Sequence, residues 1–142
     1  MSGLTKPSEL FQQKIEPAFA DYARDSLSER RANDLARALD HHADWTFEYY
    51  KQIDPSRLEG ATDVKKFRRN LISQCPDLAI MNDLSDADHH RFLDRPNDPP
   101  RVVAISTAAY SVQAGVLNVA PSQAPFMPAA IKAVEFWRQW QD

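Results

Sequence analysis

The chain has 142 residues, 43% hydrophobic and 26% charged, with a net charge of -3 at pH 7 and one cysteine. That length predicts a single domain able to bury a core without staples. The charge argues against a nucleic-acid binder that relies on bulk electrostatics, and the lone Cys75 excludes an internal disulfide. The first fifteen residues carry Lys6, Glu9, Gln12, Gln13 and Lys14, and no long apolar run occurs anywhere, so neither a signal peptide nor a membrane span is expected. The expected setting is the cytoplasm.

In chain order, Ser8 to Ser26 reads as a short helix and then a second one, with Glu16-Pro17 in the second helix's first turn and Phe19, Tyr22 and Ala23 on its apolar side. Ala32 to Ile53 is the longest stretch with a clear helical period. Ala32, Leu35, Ala36, Leu39, Ala43, Phe47, Tyr50 and Ile53 share its core face. Beside that face, Ala38, His42, Trp45 and Tyr49 form a second seam, so the helix should have two neighbours. Arg37, His41, Asp44 and Glu48 point away and read as solvated. Ser28 is placed to cap the start, and Asp54-Pro55 ends the helix because a residue before proline avoids the helical region.

Pro55 to Thr62 is a loop, and Asp63 to Gln74 a helix with Val64, Phe67, Leu71 and Cys75 inward and Lys65, Lys66 and Arg69 outward. Asp77 to Leu93 follows. It is either one helix, which leaves Asp88 among Leu84 and Phe92 and in need of a partner, or two, with Ser85 as a second cap. Three prolines in Arg95 to Pro100 end the helical region. Val102 to Thr107 and Val116 to Val119, with Gly115 between, predict an antiparallel hairpin. A proline-rich connector then leads to a last helix, Ala129 to Gln141. The expected fold is mainly α: a compact bundle of four to five helices with a small antiparallel β-hairpin before the C-terminal helix.

All four histidines fall in two matching tripeptides, Asp40-His41-His42 and Asp88-His89-His90. Helical metal ligands need a spacing of three or four, which Asp86 and His90 satisfy, with Asp83 one turn earlier. Asp83, Asp86 and His90 are therefore the metal candidates, against a reading in which histidines are solvated or hydrogen-bonded at helix surfaces. The letters of Asp40-His41-His42 match the motif of DHH-type phosphoesterases, but the further acidic and glycine-rich motifs of those enzymes are missing. With only three glycines, most phosphate-cradling loops are excluded, and no cofactor is expected.

Arg37 to His42, RALDHH, resembles the Arg-x4-His element of HEPN domains, helical modules many of which cut RNA. The resemblance covers six residues. It implies a catalytic pair in which His42 acts as general acid or base and Arg37 steadies phosphate charge. Two features depart from it: Ala38 stands where the family often has a polar residue, and Arg37 and His42 diverge by about 140° around a helix. The stretch from Cys75 to Leu93 is similar to uncharacterised small bacterial helical proteins, which implies a fold type alone. Lys65-Lys66-Phe67-Arg68-Arg69 is the one basic cluster, and it reads more readily as a solvated helix face than as a phosphate surface.

In the last helix, Ala130, Val134 and Trp137 make a docking face, while Ala129, Ala133, Phe136 and Trp140 make a second apolar seam. Burying an aromatic side chain contributes about 2 kcal/mol, so Phe136 and Trp140 should be covered. A homodimer would do this, using Ala38, His42, Trp45 and Tyr49 as well. Internal packing of the two seams, or a ligand pocket lined by them, would do it equally. Two functional classes follow. One is a non-enzymatic binding or interaction module, acting as a homodimer on a protein partner or a small apolar ligand. The other is a HEPN-like RNA-processing enzyme or a metal-dependent hydrolase.

Overall fold

The structure, a computed structural model, describes residues 5–91, 110–113, 115–119 and 124–140, with the side chains of 87–91, 111, 113 and 124 outside the description. It is a mainly α bundle with a small β element before the last helix.

The chain begins with the short helix α1, Pro7–Leu10, a wide π turn, Phe11–Ile15, and α2, Glu16–Arg24. The π turn lies just ahead of Pro17, which lacks the N–H that would continue the α-helical ladder, and Glu16 N–H instead reaches five residues back to the carbonyl of Phe11. Phe11 and Ile15 are buried here; of the predicted apolar side, Tyr22 is buried and Phe19 partly so, but Ala23 is exposed.

Helix α3, Glu29–Ile53, is the hub, in contact with every other helix. The Ser28 hydroxyl accepts from Arg31 N–H at 3.2 Å, which caps the start, and the helix stops at Asp54 as its proline predicts. Its core face is buried from Ala32 to Tyr50, whereas Ile53 is 51% exposed because the final residue projects past the core. After a 3₁₀ turn, Pro55–Leu58, helix α4, Val64–Gln74, is capped by Asp63, whose carboxylate accepts from Lys66 N–H at 2.8 Å. Phe67, Leu71 and Cys75 turn inward. Arg68 does so too, against the expectation of a uniformly solvated basic face, because a buried carboxylate on α3 draws it in.

Helix α5, Asp77–Arg91, is continuous, so Ser85 is a buried mid-helix residue and not a second cap. The side chains of Asp88, His89 and His90 lie outside the described residues, as do Val102 to Thr107. The hairpin strand that does pair with β2, Val116–Val119, is β1, Tyr110–Gln113, in the register Tyr110 to Val119 and Gln113 to Val116. Gly115 in the turn has φ +72°, and a side chain there would meet nothing, so glycine serves the backbone and not the space. A two-residue strand β3, Ala124–Pro125, completes the sheet order β1-β2-β3. Leu117 and Val119 are buried, and the Tyr110 hydroxyl donates to Asn33 of α3 at 2.8 Å, which holds the hairpin on the bundle.

The last helix, α6, Phe126–Gln139, starts three residues earlier than expected. Pro128 is tolerated there because first-turn N–H groups have no partner inside the helix. Ala130, Val134 and Trp137 are buried as predicted. No helix among the described residues is long and apolar enough to cross a membrane.

Candidate functional site

Two polar residues of α3, two positions apart, are almost wholly buried: Asp40 at 7% exposure and His42 at 3%. About 200° separates them around the helix, so they serve opposite sides.

On one side, Arg68 of α4 reaches across to Asp40. Its guanidinium donates to the carboxylate at 2.5 Å and to the Asp40 carbonyl at 3.0 Å, while Asn82 of α5 donates to the same carboxylate at 2.9 Å. Asp44, one turn on, takes a further bond from Arg68 at 3.0 Å. Burial works against the guanidinium's charge, but hydrogen bonds and attraction from Asp40 and Asp44 outweigh it and hold its pKa above the ordinary value. A recess of about 290 Å³ lies over this network, bounded also by His41, Ser85 and Asp86. Each charge of the Arg68–Asp40 pair is answered by another, and such a network ties helices together.

On the other side, the first helical segment lies along α3 and leaves a groove of about 410 Å³ between them. Leu10 and Lys14 line it from the first segment, with Asp34, Arg37, Ala38, His41, His42 and Trp45 from α3. The Trp45 indole N–H donates to the Thr5 carbonyl at 2.8 Å, tying the chain's early residues to one end of the groove. Lys14 belongs to the π turn, a feature that recurs at functional sites.

His42 forms the inner wall. Its ring lies edge-on to Trp137 at 4.6 Å and to Phe11 at 6.2 Å, and its carbonyl accepts from the Thr46 hydroxyl at 2.7 Å. Neither ring nitrogen is among the buried polar side-chain atoms left without a partner among the described residues. Burial pushes its pKa down to about 4, and no bond or neighbouring charge offsets that push, so the ring is neutral at pH 7. A neutral imidazole carries one donor and one acceptor.

The structure brings Arg37 and His42 to the same groove despite their divergence, Arg37 exposed at the rim and His42 in the wall. Ala38 and Trp45 of the second seam line it as well. Tyr49 does not, being buried against Tyr50 with ring centres 5.0 Å apart. Asp83 and Asp86 are exposed on α5; burial, then the charges of Asp86 and Asp40, raise the pKa of Asp83. Among the described residues no three metal-ligating side chains come together. Leu10 and Lys14 were not anticipated. The spacing of Phe11, Ile15, Phe19 and Tyr22, four, four and three, is the sequence signal that seats their helix against α3 and so places them.

The second seam of α6 is covered within the chain. Ala129 and Ala133 are buried, and Phe136 packs partly buried on the core. The Trp140 ring meets Tyr50 at 5.6 Å and Phe67 at 6.0 Å, with the Arg57 guanidinium 4.8 Å above it. No family model matches the chain, and neither a curated protein nor a solved structure matches it.

Proposed function

We propose that the chain is a non-enzymatic binding module whose groove between the first helical segment and α3 takes a small, largely apolar ligand. The observation that carries this reading is a groove of about 410 Å³ walled by Leu10, Ala38 and Trp45, with the His42 imidazole at its inner side. That volume is within the range of small-molecule sites, which are apolar with a few convergent polar groups. Leu10, Ala38 and Trp45 supply the apolar wall, and His42 the fixed polar point. A reducing, cytoplasmic setting fits the single, buried Cys75.

Amide-resolved NMR with a panel of small amphipathic compounds tests this. Shifts should gather at Leu10, Ala38 and the Trp45 indole N–H; a panel that moves none of these would remove the proposal.

A second reading, the HEPN-like RNA-processing enzyme, is favoured by one observation: Arg37 and His42 share this groove. Against it, an imidazole with a pKa of about 4 and 3% exposure is poorly placed to exchange protons with a polymer. RNA cleavage by the wild type that is lost in His42→Ala would reverse the ranking.

Self-association is not required by the binding reading, because Phe136 and Trp140 already pack, partly buried, on the core of the same chain. Sedimentation at micromolar concentration should give a monomer; a stable homodimer would move the interaction surface to its interface.

A further inference from the structure

We infer, resting on the binding reading above, that the groove selects a ligand with a planar aromatic ring, and that Trp45 is the side chain this ring packs against.

The three tryptophans of the chain are used differently. Trp137 lies edge-on to His42 and Phe136, with ring centres 4.6 and 5.4 Å away, and Trp140 meets Tyr50 and Phe67 at 5.6 and 6.0 Å. Both belong to the aromatic cluster that packs α6 on the bundle. Trp45 is half-buried, lines the groove, and is paired with no other aromatic ring among the described residues. Its orientation is nonetheless fixed, because the indole N–H donates to the Thr5 carbonyl at 2.8 Å. With that donor engaged, the indole offers the groove an apolar ring. A ring already held in place loses little freedom on binding, and aromatic pairs gain attraction beyond the area they bury.

The neighbouring side chains suit a flat body. Ala38 and Trp45 lie seven positions apart on α3 with His42 between them, so this side of the groove presents one methyl group and two rings. The His42 ring already stands edge-on to Phe11 and Trp137, and burial keeps it uncharged at pH 7, so a ligand ring would extend an existing aromatic row. Apolar burial alone would not make this selection, since a saturated ring of the same skeleton has at least as much apolar surface to remove from water. A preference for the aromatic ring therefore reports the ring contact itself.

Calorimetric titration of 2-phenylethanol and of its saturated counterpart 2-cyclohexylethanol tests the inference. Groove occupancy is followed through the Leu10 and Ala38 amides, and ring contact through nuclear Overhauser effects between the ligand and the Trp45 indole. 2-Phenylethanol should bind about threefold to tenfold more tightly and show those contacts. Trp45→Leu should remove the preference, whereas Trp45→Phe should keep it, although both variants lose the bond to Thr5. The two together separate the ring from the tether. Should Trp45→Leu fail to fold, the wild-type affinity ratio and the Overhauser contacts decide by themselves.

Equal binding, or tighter binding of the saturated probe, with both probes in the groove overturns the aromatic assignment and leaves the binding reading standing. A preference that survives Trp45→Leu in full does the same. Silence of the groove toward both probes and toward the wider panel of amphipathic compounds overturns both.

Discussion

Asp40 and His42 belong to one tripeptide and are both buried on the same helix, yet one faces a network of charges and the other an apolar groove. Asp40 has Arg68 and Asn82 on its carboxylate. His42 has aromatic rings on either side and lines the inner wall of a groove. The difference separates a polar group locked into a network between helices from one set among aromatic rings beside a groove. A satisfied buried network rigidifies a core.

The largest expected effect breaks the satisfied side. Arg68→Met would leave the Asp40 carboxylate buried and uncompensated, so urea unfolding should show a loss of about 3–5 kcal/mol, and adding Asp40→Leu should recover much of it. A single variant as stable as wild type would mean that Asp40 is effectively solvated, and the contrast with His42 would collapse.

The next effect concerns protons. Because burial lowers the His42 pKa from 6.5 to about 4, the unfolded chain binds more protons than the folded one between those values. His42 therefore favours folding fully above pH 6.5, and that contribution is lost as pH falls from 6.5 toward 4, by up to about 3 kcal/mol. Its charged and titratable neighbours in the groove, Lys14, Asp34, Arg37 and His41, are shared by the control variant His42→Leu. Stability measured from pH 7.5 to 4 should fall more steeply for wild type than for His42→Leu; parallel curves would show that the ring is not desolvated.

The smallest effect sharpens the comparison from outside. Asp83 has its pKa raised by burial and then by the charges of Asp86 and Asp40. A raised carboxylate pKa means that the charged form is disfavoured by folding, so Asp83→Asn should be neutral or stabilising within about 0.5 kcal/mol at pH 7. Clear destabilisation would reveal a role for its charge that the described contacts do not contain.

Much of the fold was legible because helical period reports burial directly. The core face of α3 from Ala32 to Tyr50, the inward Phe67 and Leu71 of α4, and the docking face of α6 all followed from spacing. The site was legible only in part. Ala38, His42 and Trp45 were marked as a seam in need of a neighbour, but period does not name the neighbour, and the α1–α2 segment took that place through Phe11 and Ile15. Arg68 shows the same limit from the polar side. On a wheel it is one more cation of a basic face; its inward turn depends on a carboxylate 28 residues earlier, which local spacing does not reveal. The hairpin was found, with its turn at Gly115 and its second strand in place, but the observed partner strand was not read from propensity. Tyr110–Gln113 pairs because it abuts the turn.

The most direct test is nitrogen-15 NMR of the His42 imidazole at pH 7, with and without the panel of small amphipathic compounds. The account predicts a neutral ring in the free protein, whose resonances shift when a compound enters the groove, together with movement of the Trp45 indole N–H. A ring already charged at pH 7, or one whose resonances ignore every ligand that reaches the groove, would contradict it.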